Sequence, residues 1–145
     1  MTALTVWVNG AMVEPDAARV SVFDHGFTVG DGVFETTKVV AGIPFALTRH
    51  LDRLEASATA MGLAAPDRAQ VREAVARVVG QLDRHLGRVR ITYTAGVAPL
   101  GSGRGDTAPT LVVAASPMTP WPATEAAVLV PWVRNERSAV AGVKT

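Results

Sequence analysis

Apolar and polar positions alternate along this chain with two different periods, and the switches between them mark out its elements. "TVWVNGAMVE" sets two apolar runs on either side of Asn9-Gly10. Asn-Gly supplies the positive φ values of a tight hairpin, so strand, turn and strand are predicted. "GVFETTKVVAGIPFAL" repeats the arrangement: Val33, Glu35 and Thr37 alternate with Phe34, Thr36 and Lys38, Ala41-Gly42 turns the chain, and residues 43–47 return. The period then lengthens. Thr48 is placed to cap a helix running through about Met61, with Leu51, Leu54, Ala58 and Met61 as its buried stripe and Arg49, Asp52, Arg53 and Glu55 on other faces. Pro66 breaks the chain, and Asp67 caps a second helix with Gln70 three residues on, as in a capping box. Val71, Val75, Val78, Val79 and Leu82 form its apolar face.

Period two resumes at "RVRITYTA", where Val89, Ile91 and Tyr93 alternate with Arg88, Arg90, Thr92 and Thr94. "GVAPLGSGRGDTAP" is turn chemistry, "TLVVAAS" a short apolar strand, and "PMTPWPAT" a proline-rich connector. "EAAVLVPWV" begins a further strand. The expected fold class is α+β, an antiparallel sheet with two helices. Residues 1–117 form one domain, and residues 118–145 are a linker and the opening of a second.

Composition narrows the function classes. In 145 residues, 48% hydrophobic and 19% charged content exclude a disordered chain, and a formal charge of +1 gives no general pull toward nucleic acid or an acidic membrane. Cysteine is absent, which removes disulfides, thiolate metal sites and cysteine nucleophiles. The first residues lack a basic, apolar leader, and no run approaches the roughly eighteen apolar residues of a membrane span, so a cytoplasmic chain is expected. The three histidines, at 25, 50 and 85, have no ligand-like spacing, and no metal site is expected. The tripeptide Arg104-Gly105-Asp106 is one that cell-adhesion receptors read, but so short a motif arises often by chance. Taken alone, the glycines at 26, 30 and 32 are loop positions before a strand, Arg49 and Arg53 are solvated helix charges, and Lys144 is a tail lysine. A dinucleotide loop does not fit, because a strand follows where a phosphate needs a helix N-terminus. Composition and periodicity stop at a soluble α+β domain.

Several separated blocks carry a resemblance further: "WVNG", "DHGFTVGDGVFET", "RHLDRLEASA", the glycine-rich turn, and "RNERSAVAGVK". Together they resemble the N-terminal part of the fold-type IV pyridoxal-phosphate enzymes, which include branched-chain aminotransferases, D-amino-acid aminotransferases and aminodeoxychorismate lyases. The resemblance implies that Arg53 binds the phosphate of pyridoxal 5'-phosphate and that Lys144 is the catalytic lysine, condensing with the cofactor aldehyde and acting as base. A guanidinium fork suits phosphate, and a lysine amine suits an aldehyde. Phe34 sits where D-amino-acid aminotransferases carry a tyrosine, and so offers the substrate only an apolar wall. Their loop histidine is missing from "GVAPLGSGRGD". Gly103-Arg104-Gly105 and "AGVK" are closer to the lyases, which makes Arg104 the candidate for a substrate carboxylate. The implied activity is conversion of 4-amino-4-deoxychorismate to 4-aminobenzoate and pyruvate, with a class IV aminotransferase or a cofactor-free binding module as alternatives. Family members are about twice this length. The resemblance therefore implies a homodimer, and a companion C-terminal polypeptide that completes the enzyme.

Overall fold

The computed structural model describes residues 4–83, 85–133 and 135–145. Strands β1 (Thr5–Val8) and β2 (Ala11–Val13) are joined by Asn9 and Gly10 with φ of 42° and 107°, the values expected of that pair. The other strands are β3 (Gly32–Val40), β4 (Ile43–Pro44), β5 (Leu86–Thr94) and β6 (Thr110–Pro117). All pair antiparallel in one six-stranded sheet of order β2-β1-β6-β5-β3-β4. The Asn9 side chain accepts from the Leu111 N–H at 2.8 Å, tying the hairpin to the start of β6.

Helices α2 (Leu47–Ala60) and α3 (Arg68–Gly80) cover one face of the sheet. Under them lie Val33, Val39, Val89, Ile91, Leu111, Val113 and Ala115, packed against Leu51, Leu54, Val71, Val75 and Val78. Each fully buried Val, Leu or Ile contributes roughly 1.5–3 kcal/mol, so this layer is the main source of stability. The period-two and helical stripes predicted from sequence supply these residues, although Met61 and Leu82 are only half-buried at the rim. Asp67 caps α3 as expected, its side chain accepting from Ala69 N at 2.8 Å and Gln70 N at 3.2 Å.

Three expectations are corrected. Thr48 does not cap α2: the helix starts at Leu47 behind Ala46, which takes a left-handed φ of 48° and offers no side-chain cap. The entry is set upstream, where Phe45 N donates to the Lys38 carbonyl at 2.8 Å and Thr37 Oγ1 donates to the Phe45 carbonyl at 2.6 Å. A third helix, α1 (His25–Thr28), is folded into the glycine-rich stretch, capped by Asp24, which accepts from Gly26 N at 2.8 Å. A Cβ on Gly26 would stand 2.3 Å from Thr94 Cγ2, so this short helix lies against β5 only because that position lacks a side chain. Finally, "EAAVLVPWV" forms no strand. An isolated extended segment leaves its backbone groups to water, and here Leu129 is 103% and Val133 88% exposed. Among the described residues, no helix is long and apolar enough to cross a membrane.

Candidate active site

Alternation along β3 builds the site. Val33, Glu35, Thr37 and Val39 turn toward the helices, and Phe34, Thr36 and Lys38 toward the open face of the sheet. Glu35 therefore enters the core, where it is 0% exposed. A buried carboxylate needs cationic partners, and α2 and the chain's last residues bring them. Arg53 approaches edge-on: Nε donates to Oε1 and Nη2 to Oε2, the latter at 2.6 Å. His50, one helical turn earlier, places Nδ1 2.7 Å from Oε2. Lys144 Nζ stands 3.3 Å from the same oxygen.

Lys144 arrives along the free edge of β3. Beyond Val39 that edge is taken by β4, but at Phe34 it is open, and the Phe34 N–H donates to the Lys144 carbonyl at 3.1 Å. The Lys144 N–H in turn donates to Ser57 Oγ on α2 at 3.3 Å. At the strand edge its ammonium reaches Glu35 on one side and lies 5.3 Å from the Phe34 ring centre on the other. The Arg90 guanidinium, on the open face of β5, lies 3.7 Å from that ring centre. Burial pushes the Glu35 carboxyl up, but the hydrogen bonds from Arg53 and His50 and the charges of Lys144 and Arg53 outweigh it. The group is held below its ordinary value and stays ionised.

Of the residues singled out from sequence, the structure thus brings Arg53 and Lys144 onto one carboxylate, Glu35, with the Lys144 amine also beside the Phe34 ring. Arg104 shares none of these contacts and has partners of its own. Its Nε and Nη2 grip the two oxygens of Asp31, Nη2 also donates to the Met61 carbonyl at 2.6 Å, and Nη1 donates to the Gly62 carbonyl at 2.9 Å. Four of its five N–H groups are used, and it fastens the loop after β5 to the end of α2. Sequence reasoning missed Glu35, His50, Arg90 and Asp31. Glu35 had a readable signal, since it occupies an inward position between Val33 and Thr37, and a charge there demands partners. Arg134, the first residue of the terminal motif, lies outside the described residues.

Residues 32–145 match the family model described as amino-transferase class IV. A putative branched-chain-amino-acid aminotransferase of Methanocaldococcus jannaschii is 34% identical over 119 residues, covering 81% of this chain and 41% of that protein. The structure of 4-amino-4-deoxychorismate lyase from Pseudomonas aeruginosa is similar with a TM-score of 0.68 and 33% identity, over 81% of this chain and 41% of that one. A hypothetical aminotransferase from Mycobacterium tuberculosis in its PLP-bound form gives 0.67 and 32%, over 79% and 40%. The chain spans about two fifths of the length of these relatives. The family is one of pyridoxal-phosphate-dependent enzymes. Since the matched model takes in β3, α2 and the segment carrying Lys144, this chain belongs to the class IV amino-transferase family.

Proposed function

We propose that the protein is a pyridoxal-phosphate lyase that converts 4-amino-4-deoxychorismate to 4-aminobenzoate and pyruvate, with this chain forming its N-terminal part. The observation that carries this reading is the convergence of Arg53 and Lys144 on Glu35 at the edge of β3, with the Lys144 amine 5.3 Å from the Phe34 ring centre. The donor set fits the cofactor. Arg53 is half exposed, and its Nη1 makes no hydrogen bond among the described residues, which leaves donors for a phosphate. Lys144 offers a primary amine that is a third exposed. When bound, the cofactor supplies an aldehyde that takes up amines and a ring that withdraws electrons from the amine-bearing carbon. Arg53 holds the phosphate. Lys144 removes the proton from the amine-bearing carbon. Phe34 excludes water beside that carbon and, lacking a hydroxyl, offers the substrate an apolar wall. Arg90, over the Phe34 ring, is positioned for a substrate carboxylate. Arg104 is the second candidate for a substrate carboxylate: one of its five N–H groups makes no hydrogen bond among the described residues, and release from Asp31 would free two more.

Two further features support a larger assembly. The apolar segment 128–133 stands in water, with Val128 at 85% and Trp132 at 81% exposure, as the opening of a second unit requires. The division into residues 1–117 and 118–145 is proposed on that ground. Phe23, Phe27, Val29, Val97 and Leu100 form a second exposed apolar group around α1, which supports a homodimer, with a companion C-terminal polypeptide completing each site. The expectation of a cytoplasmic location is kept as part of the same proposal.

An aminotransferase acting on branched-chain or D-amino acids is the second reading. It is favoured by the Methanocaldococcus relative and by the engagement of Arg104, which removes one lyase-like feature. The test supplies the protein, completed by its C-terminal part, with cofactor and aminodeoxychorismate. Pyruvate release supports the lyase. Keto-acid-dependent amino transfer without pyruvate overturns it in favour of the transaminase. If borohydride fixes no cofactor on Lys144, a cofactor-free binding module remains.

A further inference from the structure

The Glu35 carboxylate stands at the point where the site's basic groups converge. It is fully buried, and its two oxygens receive Arg53 twice, His50 once and Lys144 once. We propose that Glu35 is the positioning residue of this site, gripping Arg53 by one edge so that the other faces a phosphate, and holding the Lys144 amine at the rim of β3. The proposal rests on the cofactor roles given above to Arg53 and Lys144.

A guanidinium is a flat fork with two usable edges. Glu35 takes the Nε–Nη2 edge, which fixes the plane of the group and leaves Nη1 turned away from the carboxylate. His50 stiffens the arrangement. A carboxylate only accepts, so the His50 nitrogen facing it, Nδ1, carries the hydrogen. The 3.4 Å approach of Arg53 Nη2 to that same nitrogen is then a contact between two donors, tolerated because the carboxylate lies between them. Lys144 has a long flexible stem, and its backbone is pinned by Phe34 and Ser57. The Glu35 oxygen is its only ion-pair partner among the described residues.

Glu35 is not the base that frees the amine. The two bonds from Arg53 hold its carboxyl below the ordinary value, which makes it a weaker proton acceptor than a free carboxylate. Its part is to place charge, and a neutral group of the same shape should not replace it.

The test has one arm without cofactor and one with it. In the cofactor-free chain, amines are acetylated at limiting reagent, and Lys144 and Lys38, the only two lysines, are quantified by peptide mass spectrometry. Lys38 is exposed on the open face of the sheet and serves as internal reference. Glu35→Gln is expected to raise the Lys144-to-Lys38 ratio several-fold, and Glu35→Asp, which keeps the charge on a stem one methylene shorter, to give an intermediate rise. In the second arm, borohydride fixation on Lys144 is compared for pyridoxal phosphate and pyridoxal. Glu35→Gln should lose much of the preference for the phosphorylated form. Thermal unfolding is recorded first, and Glu35→Asp carries both arms where Glu35→Gln does not fold, with intermediate shifts expected. An unchanged labelling ratio overturns the role in holding the amine, whatever the cofactor does. An unchanged preference for phosphate overturns the role in presenting Arg53. Equal behaviour of folded Asp and Gln variants overturns the requirement for charge. If the unaltered chain, completed by its C-terminal part, fixes no cofactor at all, the cofactor roles fall and take the phosphate half of this proposal with them, while the labelling arm still decides the other half.

Discussion

Asp31 and Arg104 are 73 residues apart in the chain and meet through a two-pronged ion pair that closes the loop after β5 onto the segment leading into β3. Asp31 lies just before β3, and Arg104 also takes the carbonyls of Met61 and Gly62, so one guanidinium joins three segments. This is a fastening, and through it Arg104 contributes to stability.

Replacing Arg104 by Ala should therefore lower unfolding stability by about 2 kcal/mol, the scale of charge-assisted hydrogen bonds with one partner partly in water. Urea melts would show a lower midpoint at unchanged slope. Asp31→Ala should cost a similar amount, and the double variant less than the sum of the two, because both act through the same contact. Strict additivity would show that the pair is not coupled.

The two helix starts were unequally legible, and they can be compared directly. Asp67→Ala should cost about 1 kcal/mol, because its carboxylate satisfies two otherwise unpaired N–H groups of α3. Thr48→Ala should change stability by no more than about 0.5 kcal/mol, since Thr48 sits inside α2 and only accepts from the Arg72 side chain. Thermal or urea melts of the two variants give the contrast. Asp67 was readable because its cap is local. The start of α2 is decided by contacts between β3 and Phe45, and no short-range pattern reports those.

The same division explains what was legible of the whole. Hairpins at Asn9-Gly10 and Ala41-Gly42, the period-two strands and both long helices follow from local pattern, and each is present. The pairing of β1 with β6 and the ion pairs of Glu35 and Asp31 join residues far apart in the chain, so periodicity carries no trace of them. Arg53, Phe34 and Lys144 were legible only through resemblance. Nothing in a terminal lysine's own neighbourhood reveals that its carbonyl pairs with the edge of β3.

Gly26 offers a steric test of the glycine-rich stretch. Gly26→Ala should cost about 1–3 kcal/mol, because the new methyl carbon would overlap Thr94 Cγ2 at 2.3 Å. Thr94→Ser removes that methyl group while keeping the hydroxyl, which accepts from Gly96 N at 3.2 Å. The double variant should thus recover part of the loss. Recovery will be incomplete, since the substituted carbon would still lie 2.9 Å from Thr94 Cβ. Melts of the single and double variants settle the point.

The acid limb of the stability curve should trace to Glu35. Its carboxyl is held below the ordinary value of 4.5 in the folded state, whereas in the unfolded chain it titrates near that value. The unfolded state then binds more protons between the two values, and stability rises with pH across that window. The contribution is fully present above the unfolded value, and it is lost as pH falls through the folded one. Glu35→Gln should flatten this part of the curve and lower stability near neutrality by about 2 kcal/mol. That is the low side of what breaking a buried pair costs, because Arg53 is half in water. Urea melts from neutral pH down to the onset of acid unfolding would show it. An acid limb unchanged in Glu35→Gln would assign the pH dependence to other carboxylates.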